Sequence, residues 1–511
     1  MQRRDFLIDV ARLAALAAVV PNDWRIVHRP RFADDPFQLG IASGDPTPTS
    51  VMIWTRLVPK PMEPDGGMTM RTAVSWEVAD DEGFAQIVKR GRATAVPELG
   101  YSIHVDVDGL APDRWYFYRF TAVDAASPVG RLRTTPAAGA LSPLHFAFCS
   151  CQHYEQGYYT ALKHLSTEEV DLVAHLGDYI YEYGPIEGRA RLHNALEIRT
   201  LDDYRKRYAL YKADPMLQAA HHRAPWIVVW DDHEVDNNWA GSFGENGMES
   251  DEQMHDRRAA AFQAWWEHQP ARVPRARSWA DLTITRTINW GALARFWMLD
   301  SRQYRSDQAC GDGVVNVPCG DWASPSRTML GPTQEKWLSQ GMAASRSRWQ
   351  VLANQTMLAS LDTAPGPTLQ TSMDSWSGYP AAQTRLLNTI ARAAPNRTIV
   401  ITGDNHANWV NDIRASEPRS PSIATEFLGT SISSGGDGSD RANFYTDAIA
   451  AENPHVKWHN NRRGYVVCEV TPETWRAEYR TVAYVSRPDA AIETPSKWRV
   501  AHGRPGVQRE S

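Results

Sequence analysis

The sequence predicts an α/β fold in which a layered β-sheet core is flanked by helices and preceded by an all-β domain. Over residues 141–485, short strand-like runs alternate with segments of helical periodicity, as is typical of α/β folds. Residues 32–138 instead contain strand-like runs separated by turn residues, the pattern of a small immunoglobulin- or fibronectin-like sandwich. Residues 486–511 are polar and contain proline, so we expect a C-terminal tail there. The helical segments are 157–167, 200–221, 250–268, 332–345 and 380–394.

Length and composition indicate a globular protein with more than one domain. The chain has 511 residues, and domains usually contain about 100–200 residues. The net charge of −6 provides no basic surface of the kind that binds nucleic acid. No apolar run approaches the roughly 18 residues of a membrane-spanning helix, so we expect no transmembrane anchor.

The N-terminus, residues 1–31, has features of a twin-arginine export signal. Arg3 and Arg4 form an arginine pair followed by large apolar residues, and a small apolar stretch follows at 13–20. An ordinary amphipathic helix is the alternative interpretation. The twin-arginine route carries folded, cofactor-loaded proteins, so we expect the export machinery as a partner and a periplasmic or secreted location.

Four strand-like runs end directly in clusters of metal-binding residue types. In open α/β sheets, ligands bind at the carboxyl ends of the strands. Four converging ends would bring carboxylates, imidazoles, a thiolate and a phenol around one point, which is how a multinuclear metal site is built. The sequence therefore predicts a metalloenzyme. The runs and the clusters that follow them are 144–148 with 149–153, 171–176 with 177–181, 226–230 with 231–234, and 398–402 with 403–406.

The most specific short motif is Gly177-Asp178-x-x-Tyr181. A carboxylate directly after a strand can bridge two metal ions, and a tyrosine three residues later can reach one of them. Gly177 permits the tight turn. We therefore expect Asp178 to bridge two metals and Tyr181 to bind one. An ordinary strand–loop junction would be the better interpretation if this motif stood alone.

Three further candidate ligands follow the other strands. Asp404 and His406 lie two residues apart, so each can bind a different metal; the alternative is a turn aspartate and a surface histidine. Asp232 supplies another carboxylate, although aspartate at such a position can also cap a helix.

Ligand chemistry indicates which metals these residues suit. The thiolate of Cys151 and the phenolate of Tyr181 form a strongly donating pair that suits trivalent iron. The oxygen ligands of Asp232 and Asp404 suit a harder ion such as calcium. We therefore expect Fe(III) and Ca(II).

Together these motifs resemble the alkaline phosphatase D (PhoD-like) family of metallophosphoesterases. The resemblance implies a metallophosphoesterase-type sandwich of two β-sheets flanked by helices, an N-terminal sandwich domain and a C-terminal segment near the site. It also implies an iron and calcium centre, twin-arginine export, and hydrolysis of small phosphomonoesters and phosphodiesters at alkaline pH. The matching segments are 37–46, 54–57, 150–152, 175–182, 230–234, 299–305, 403–406 and 463–465.

The resemblance also implies a role for each candidate residue. We expect a hydroxide held by the metals to attack phosphorus, since bound cations lower the pKa of water. His233 would stabilise the transferring phosphoryl group or protonate the leaving oxygen. Carried over by motif, the iron ligands are Cys151, Asp178, Tyr181 and His406, and the calcium ligands are Asp178, Asp232 and Asp404.

Three other features allow more than one interpretation. The segment 300–305, Asp-Ser-Arg-Gln-Tyr-Arg, can bring cations near a phosphate or form a buried structural Asp–Arg pair. Asn354 can add an amide ligand. Cys310 and Cys319 lie in one loop and can form a disulfide in an oxidising compartment, or they are unrelated thiols.

Two other functions stay open from the sequence. One is a phosphodiesterase specialised for lipid, cell-wall polymer or nucleotide diesters, because the motifs indicate the chemistry but not the group beyond the phosphate. The other is a non-catalytic binding protein in which the metal is structural. Closed structural sites leave no open position, whereas His233 lies unassigned beside the ligands, which argues against this second function.

Overall fold

A computed structural model of the chain describes residues 32–247, 249–311, 315–415 and 420–510. The predicted export signal, residues 1–31, lies outside the described residues. The strands of the N-terminal part are β1 Ile41–Gly44, β2 Val51–Arg56, β3 Thr72–Ala79, β4 Ile87–Ala95, β5 Ser102–Val107, β6 Trp115–Ala122, β7 Ala125–Ala126 and β8 Gly130–Arg133.

The remaining strands extend to the C-terminus and alternate with helices over much of their length. This alternation of strands and helices confirms the α/β class that the sequence predicts. These strands are β9 Leu144–Cys149, β10 Leu172–His175, β11 Trp226–Val228, β12 Arg286–Trp290, β13 Ala294–Met298, β14 Val315–Asn316, β15 Trp349–Ala353, β16 Thr371–Ser372, β17 Thr398–Thr402, β18 Asn408–Arg414, β19 Ser422–Leu428, β20 Gly438–Ser439, β21 Val456–Val470, β22 Thr474–Val482, β23 Ile492–Ala501 and β24 Gln508–Glu510.

The helices overlap all five predicted helical segments. The predicted helix 200–221 is two helices, because the Asp214 side chain accepts hydrogen bonds from the backbone N–H groups of Met216 and Leu217 and starts a new helix at Pro215. The helices are α1 Thr160–Leu165, α2 Leu201–Lys212, α3 Pro215–Arg223, α4 Asp251–His268, α5 Gly331–Ala344, α6 Pro380–Ala393 and α7 Asp447–Glu452. Among the described residues, no helix is long and apolar enough to cross a membrane.

Two groups of strands form the core of the larger part of the molecule. The first runs in the order β24-β23-β22-β21-β9-β10-β11-β1-β2-β5, and the second in the order β12-β13-β15-β17-β19-β18. The long strand β21 pairs with both β9 and β18 and so joins them. The Phe146 ring of β9 meets the Phe296 ring of β13 at 5.3 Å between centroids, so the two groups share one hydrophobic core.

The central strands of both groups are parallel. β9, β10 and β11 pair in parallel in the first, as do β13, β15, β17 and β19 in the second. Strands β10, β15 and β17 are buried at every residue, which explains their largely apolar sequences. The four predicted clusters lie at the carboxyl ends of β9, β10, β11 and β17.

The N-terminal strands form a second core. Strands β3, β4, β6, β7 and β8 make a separate five-stranded sheet, and this sheet shares a hydrophobic cluster with β1, β2 and β5. Strand β1 also pairs with β11 at Gly44 and Trp226. The N-terminal strands are therefore continuous with the first group of the larger part.

The prediction of a C-terminal tail over 486–511 is wrong. Strand β23 pairs with β22 along its length, and β24 pairs with β23. Within β23, Ser496, Trp498 and Val500 are buried and alternate with more exposed residues. The outward-facing polar residues and the prolines dominate the composition of this segment, which concealed the period of two.

Candidate metal centre

All seven predicted site residues meet where the parallel strands end. Their donor atoms form three overlapping groups, in each of which the atoms lie within 4.8 Å of one another. Asp178 belongs to the first two groups and Asp232 to the last two. Tyr181 joins through its hydroxyl, which donates to Asp178 Oδ2 at 2.9 Å and lies 3.2 Å from His406 Nε2. The groups are Cys151, Asp178 and His406; Asp178, Asp232 and His233; and Asp231, Asp232 and Asp404.

Four of these residues have left-handed backbone conformations. The φ angles are 59° at Cys151, 56° at Asp178, 65° at Asp404 and 55° at His406. Residues other than glycine adopt this region at a cost, and such strain is concentrated at functional sites. The turns therefore aim the side chains back across the ends of the strands.

Two glycines let the turns approach each other. A Cβ atom on Gly177 would lie 2.3 Å from the Cβ atom of Asp231, and one on Gly403 would lie 2.3 Å from Ser150 Oγ. The Gly177 backbone also has a φ of 110°, which favours glycine. A larger residue at either position would force the turns apart.

Three carboxylate oxygens in the cluster are buried without a hydrogen-bond partner among the described residues. They are Asp178 Oδ1, Asp231 Oδ2 and Asp232 Oδ1. Buried polar groups are normally satisfied, and an unpaired buried carboxylate is costly. Burial, followed by neighbouring carboxylates, raises the pKa of Asp404 well above its ordinary value. Bound cations would offset this cost, so these residues fit the metal ions that the sequence implies.

The thiol and the phenol of the cluster also fit a cation. Burial raises the pKa of both Cys151 and Tyr181 well above their ordinary values, and Asp178 adds to this. A metal ion reverses that direction, because it stabilises a thiolate or phenolate directly. Ser434 Oγ lies within hydrogen-bond distance of both the Tyr181 hydroxyl, at 2.7 Å, and the Cys151 carbonyl oxygen, at 2.8 Å, and its single O–H can donate to either one.

Arg302 supplies a buried cation beside the carboxylates. Its guanidinium donates to Asp231 and makes two parallel hydrogen bonds to Asp374, at 2.8 and 3.0 Å. It also lies 3.6 Å from Asp232 and 3.5 Å from Asp404. Bidentate arginine–carboxylate pairs are strong and directional. The arginine of the 300–305 segment therefore contacts the cluster.

Asp300 and Asn354 make hydrogen bonds to neighbouring protein groups. Asp300 does not pair with Arg302 through their side chains; its Oδ1 atom accepts hydrogen bonds from the backbone N–H groups of Arg302 and Gln303. The Asn354 amide donates to the Thr356 carbonyl at 2.5 Å and accepts from Trp376 at 3.3 Å. Both ends of that amide therefore make hydrogen bonds within the protein, and the amide-ligand role of Asn354 stays a prediction.

His233 is held by a carboxylate that the sequence analysis did not single out. Its Nδ1 atom lies 2.8 Å from Glu182 Oε2, and Glu182 Oε1 accepts from the backbone N–H of Asn237 at 2.8 Å. Burial alone would lower the pKa of His233, but Glu182 and then Asp232 and Asp178 hold it well above its ordinary value. The carboxylates around His233 therefore favour its charged form.

Glu234 ties two of the strand ends together. Its carboxylate accepts hydrogen bonds from the backbone N–H groups of Asp178 at 3.1 Å, Tyr179 at 2.7 Å and Asp231 at 2.8 Å. Burial raises its pKa to about 8. Glu182 follows the predicted ligand Tyr181 in the sequence, and Glu234 follows His233. Their positions next to predicted site residues could have indicated a role at the site. For Ser434 the sequence offered no signal, because it lies far along the chain.

Comparisons with known proteins agree with this geometry. The PhoD-like phosphatase family matches residues 146–479, and the N-terminal domain of PhoD-like phosphatases matches residues 23–136. Alkaline phosphatase D of Bacillus subtilis (strain 168) is 45% identical over 524 aligned residues, which cover 100% of this chain and 89% of that protein.

Solved structures give the same result. A structure of PhoD superposes with a TM-score of 0.92 at 46% identity, covering 94% of this chain and 93% of that one. A purple acid phosphatase, PPD1 from yellow lupin (Lupinus luteus) seeds, shares the fold at a TM-score of 0.56 and 12% identity, covering 92% of this chain and 74% of that one. The chain therefore belongs to the PhoD-like phosphatase family.

Proposed function

We propose that this chain hydrolyses small phosphomonoesters and phosphodiesters with one iron and one calcium ion held at the four strand ends. Metal-dependent phosphoester hydrolysis follows from membership of the PhoD-like phosphatases. The proposal of two metal ions is supported by the overlap of the three donor groups, in which Asp178 and Asp232 are shared. Shared carboxylates are suited to hold two cations close together.

The donor types divide the cluster into two halves. Cys151, Tyr181 and His406 supply sulfur, phenol and imidazole donors, which suit Fe(III). Asp232 and Asp404 supply only oxygen, which suits Ca(II). Asp178 would bridge the two ions. When bound, such cations supply Lewis acidity and lower the pKa of water.

The protein residues around the ions would orient the substrate and stabilise charge. His233, held by Glu182, would donate a hydrogen bond to a phosphoryl oxygen or a proton to the leaving oxygen. Arg302 would keep Asp231, Asp232 and Asp404 in place, because it lies within 3.6 Å of their oxygens. These groups need no reorganisation during the reaction, which is the basis of electrostatic catalysis.

We also propose export by the twin-arginine route to the periplasm or the medium. The support is the Arg3-Arg4 pair and the apolar stretch after it. The disulfide between Cys310 and Cys319 is a second support, because disulfides persist in oxidising compartments. A fusion of residues 1–31 to a reporter that folds before export would test this. Loss of export on replacing both arginines with lysine is expected, and undiminished export would contradict it.

Release of p-nitrophenol from its phosphate monoester and from the bis-ester would test the proposed activity. Purified protein should hydrolyse both at alkaline pH. A calcium chelator should abolish turnover, and added Ca²⁺ should restore it. The ratio of the two rates would rank monoesterase against diesterase activity. Turnover that resists the chelator would contradict the calcium assignment, and failure to hydrolyse either ester would contradict the proposed substrate range.

A further inference from the structure

A cavity of about 570 Å³ opens directly from the metal-binding cluster. Such a volume is within the usual range for a small-molecule site. One end is formed by acidic and histidine side chains of the cluster, namely Asp178, Asp232, His233, Asp374, Asp404 and His406. The rest of the lining is neutral and includes Met357, Leu361, Thr371, Ser372, Asn405 and Phe444.

The charge of this lining restricts what can bind beyond the phosphoryl group. No lysine or arginine is among the lining residues of the described chain. A second phosphate or a carboxylate on the organic group would therefore lose its hydration without gaining a cationic partner. The cavity thus favours an organic group without charge.

Phe444 is the lining residue that offers an open apolar face. Its side chain is 48% exposed, although Met357 and Leu361 on the same cavity are nearly fully buried. The Phe444 ring lies 6.3 Å from the Trp409 ring, and Trp409 Nε1 donates to Asn405 Oδ1 at 2.7 Å. The aromatic face is thereby positioned next to the turn that carries the candidate ligands.

We propose that Phe444 determines specificity by packing against an uncharged aromatic or apolar organic group of the phosphoester. This inference rests on the proposed phosphoesterase activity. Substrate binding would cover the exposed ring, and both apolar burial and ring–ring contact would favour the complex. Substrates with a small organic group, such as ethyl phosphate, would not reach the ring and would gain nothing from it.

Replacement of Phe444 by alanine tests the proposal through a ratio of substrates. Phosphate release from phenyl phosphate and from ethyl phosphate is measured for the full chain and for Phe444→Ala. We expect kcat/KM for phenyl phosphate to fall roughly three- to tenfold, the size of an aromatic contact, with ethyl phosphate unchanged. Phe444→Trp should retain the preference. Phe243→Ala is the matched control, because Phe243 is also 48% exposed but does not line the cavity.

The outcomes separate this inference from the proposed activity. A wild-type protein that hydrolyses neither ester contradicts the activity itself. A wild-type protein that hydrolyses both, with a Phe444→Ala variant that loses both equally or neither, overturns the role of Phe444. The neutrality of the cavity is tested with 4-carboxyphenyl phosphate, for which the wild-type kcat/KM should be lower than for phenyl phosphate. An equal or higher value would overturn that part.

Discussion

At the scale of single residues, Asp178 would link the two halves of the proposed metal centre. It belongs to two donor groups, accepts a hydrogen bond from Tyr181, and keeps one buried oxygen without a partner among the described residues. Its backbone N–H is fixed by Glu234. A carboxylate in this position can hold two cations at once, so its loss should affect both.

Asp178→Asn should lower kcat by roughly 100- to 1,000-fold or more. A loss of 100- to 1,000-fold is typical when one preorganised electrostatic group is removed. Bound iron and calcium, measured by inductively coupled plasma mass spectrometry, should both decrease. Asp202→Asn on α2 is the control, because Asp202 is exposed, pairs with Lys206 and lies outside the donor groups. Near-normal turnover of Asp178→Asn would show that the bridging role is wrong.

Glu182→Gln tests whether the carboxylate positions and charges His233. The variant removes the negative charge 2.8 Å from His233 Nδ1 but retains the shape of the side chain. We expect kcat to fall about 10- to 100-fold with KM and metal content nearly unchanged. The exposed Glu187→Gln is the matched control. A Glu182→Gln variant that loses its metals instead would indicate a structural role.

The burial of Lys212 predicts a pH dependence of folding stability that does not involve the metals. Lys212 is fully buried, and its ammonium lies 4.3 Å from the centroid of the Trp54 ring. Burial lowers its pKa from 10.5 to about 7. Between these values the unfolded chain binds a proton that the folded protein does not, so the contribution of Lys212 to stability rises with pH.

Lys212→Met should therefore stabilise the protein most near pH 7, by on the order of 4 kcal/mol at the limit set by the pKa shift. This advantage should shrink as the pH approaches 10. Urea unfolding of variant and wild type at pH 7.5 and pH 10 measures it. A difference in unfolding free energy that is the same at both pH values would contradict the assigned pKa.

The sequence predicted the candidate ligands better than their partners. Asp178, Tyr181 and Asp404 follow recognisable strand ends, so their convergence could be expected from the parallel α/β pattern alone. Arg302 was left between two interpretations, because sequence does not reveal which of several acids it meets. Ser434 contacts Cys151 from 283 residues away, and such pairings depend on tertiary structure.

At the scale of elements, the loop between Cys310 and Cys319 pairs with a strand that lines the cavity. The two cysteines form a disulfide. Strand β14 follows within the same loop and pairs with β16, whose residues Thr371 and Ser372 line the cavity. The disulfide thus restrains a strand that supports the substrate site.

Replacing both cysteines by serine should destabilise the protein by about 2–3 kcal/mol, the loop-closure value for a loop of this length. Thermal unfolding of the double variant and of wild type, each with and without dithiothreitol, measures the effect. The reductant should lower the melting temperature of the wild type only. Equal melting temperatures for the wild type and the variant would contradict a restraining role.

The sequence predicted those helices and strands whose residues follow one clear hydrophobic or capping pattern. The buried parallel strands β10, β15 and β17 are short and largely apolar, and α4 begins with the capping box of Ser250 and Gln253. The C-terminal strand β23 was missed, because only one of its faces packs on the protein. A strand with only one buried face carries about as many polar as apolar residues, so composition alone misleads there.

At the scale of the whole molecule, two groups of parallel strands end at one place. Strand β21 pairs with β9 and with β18, while the rings of Phe146 and Phe296 lie in the shared core. This arrangement gives a rigid base on which short, strained turns hold the donor atoms. A sequence pattern predicts each strand separately, but the mutual placement of the two groups required the structure.

Removing the metals and measuring the activity that returns when they are restored tests the proposed two-metal centre most directly. Protein stripped of iron and calcium should be inactive on p-nitrophenyl phosphate, and activity should return in proportion to bound metal when Fe(III) and Ca(II) are restored together. Metal per chain and turnover would be measured on the same samples. Stripped protein that keeps its full turnover with less than about a tenth of a metal ion per chain would contradict the central claim.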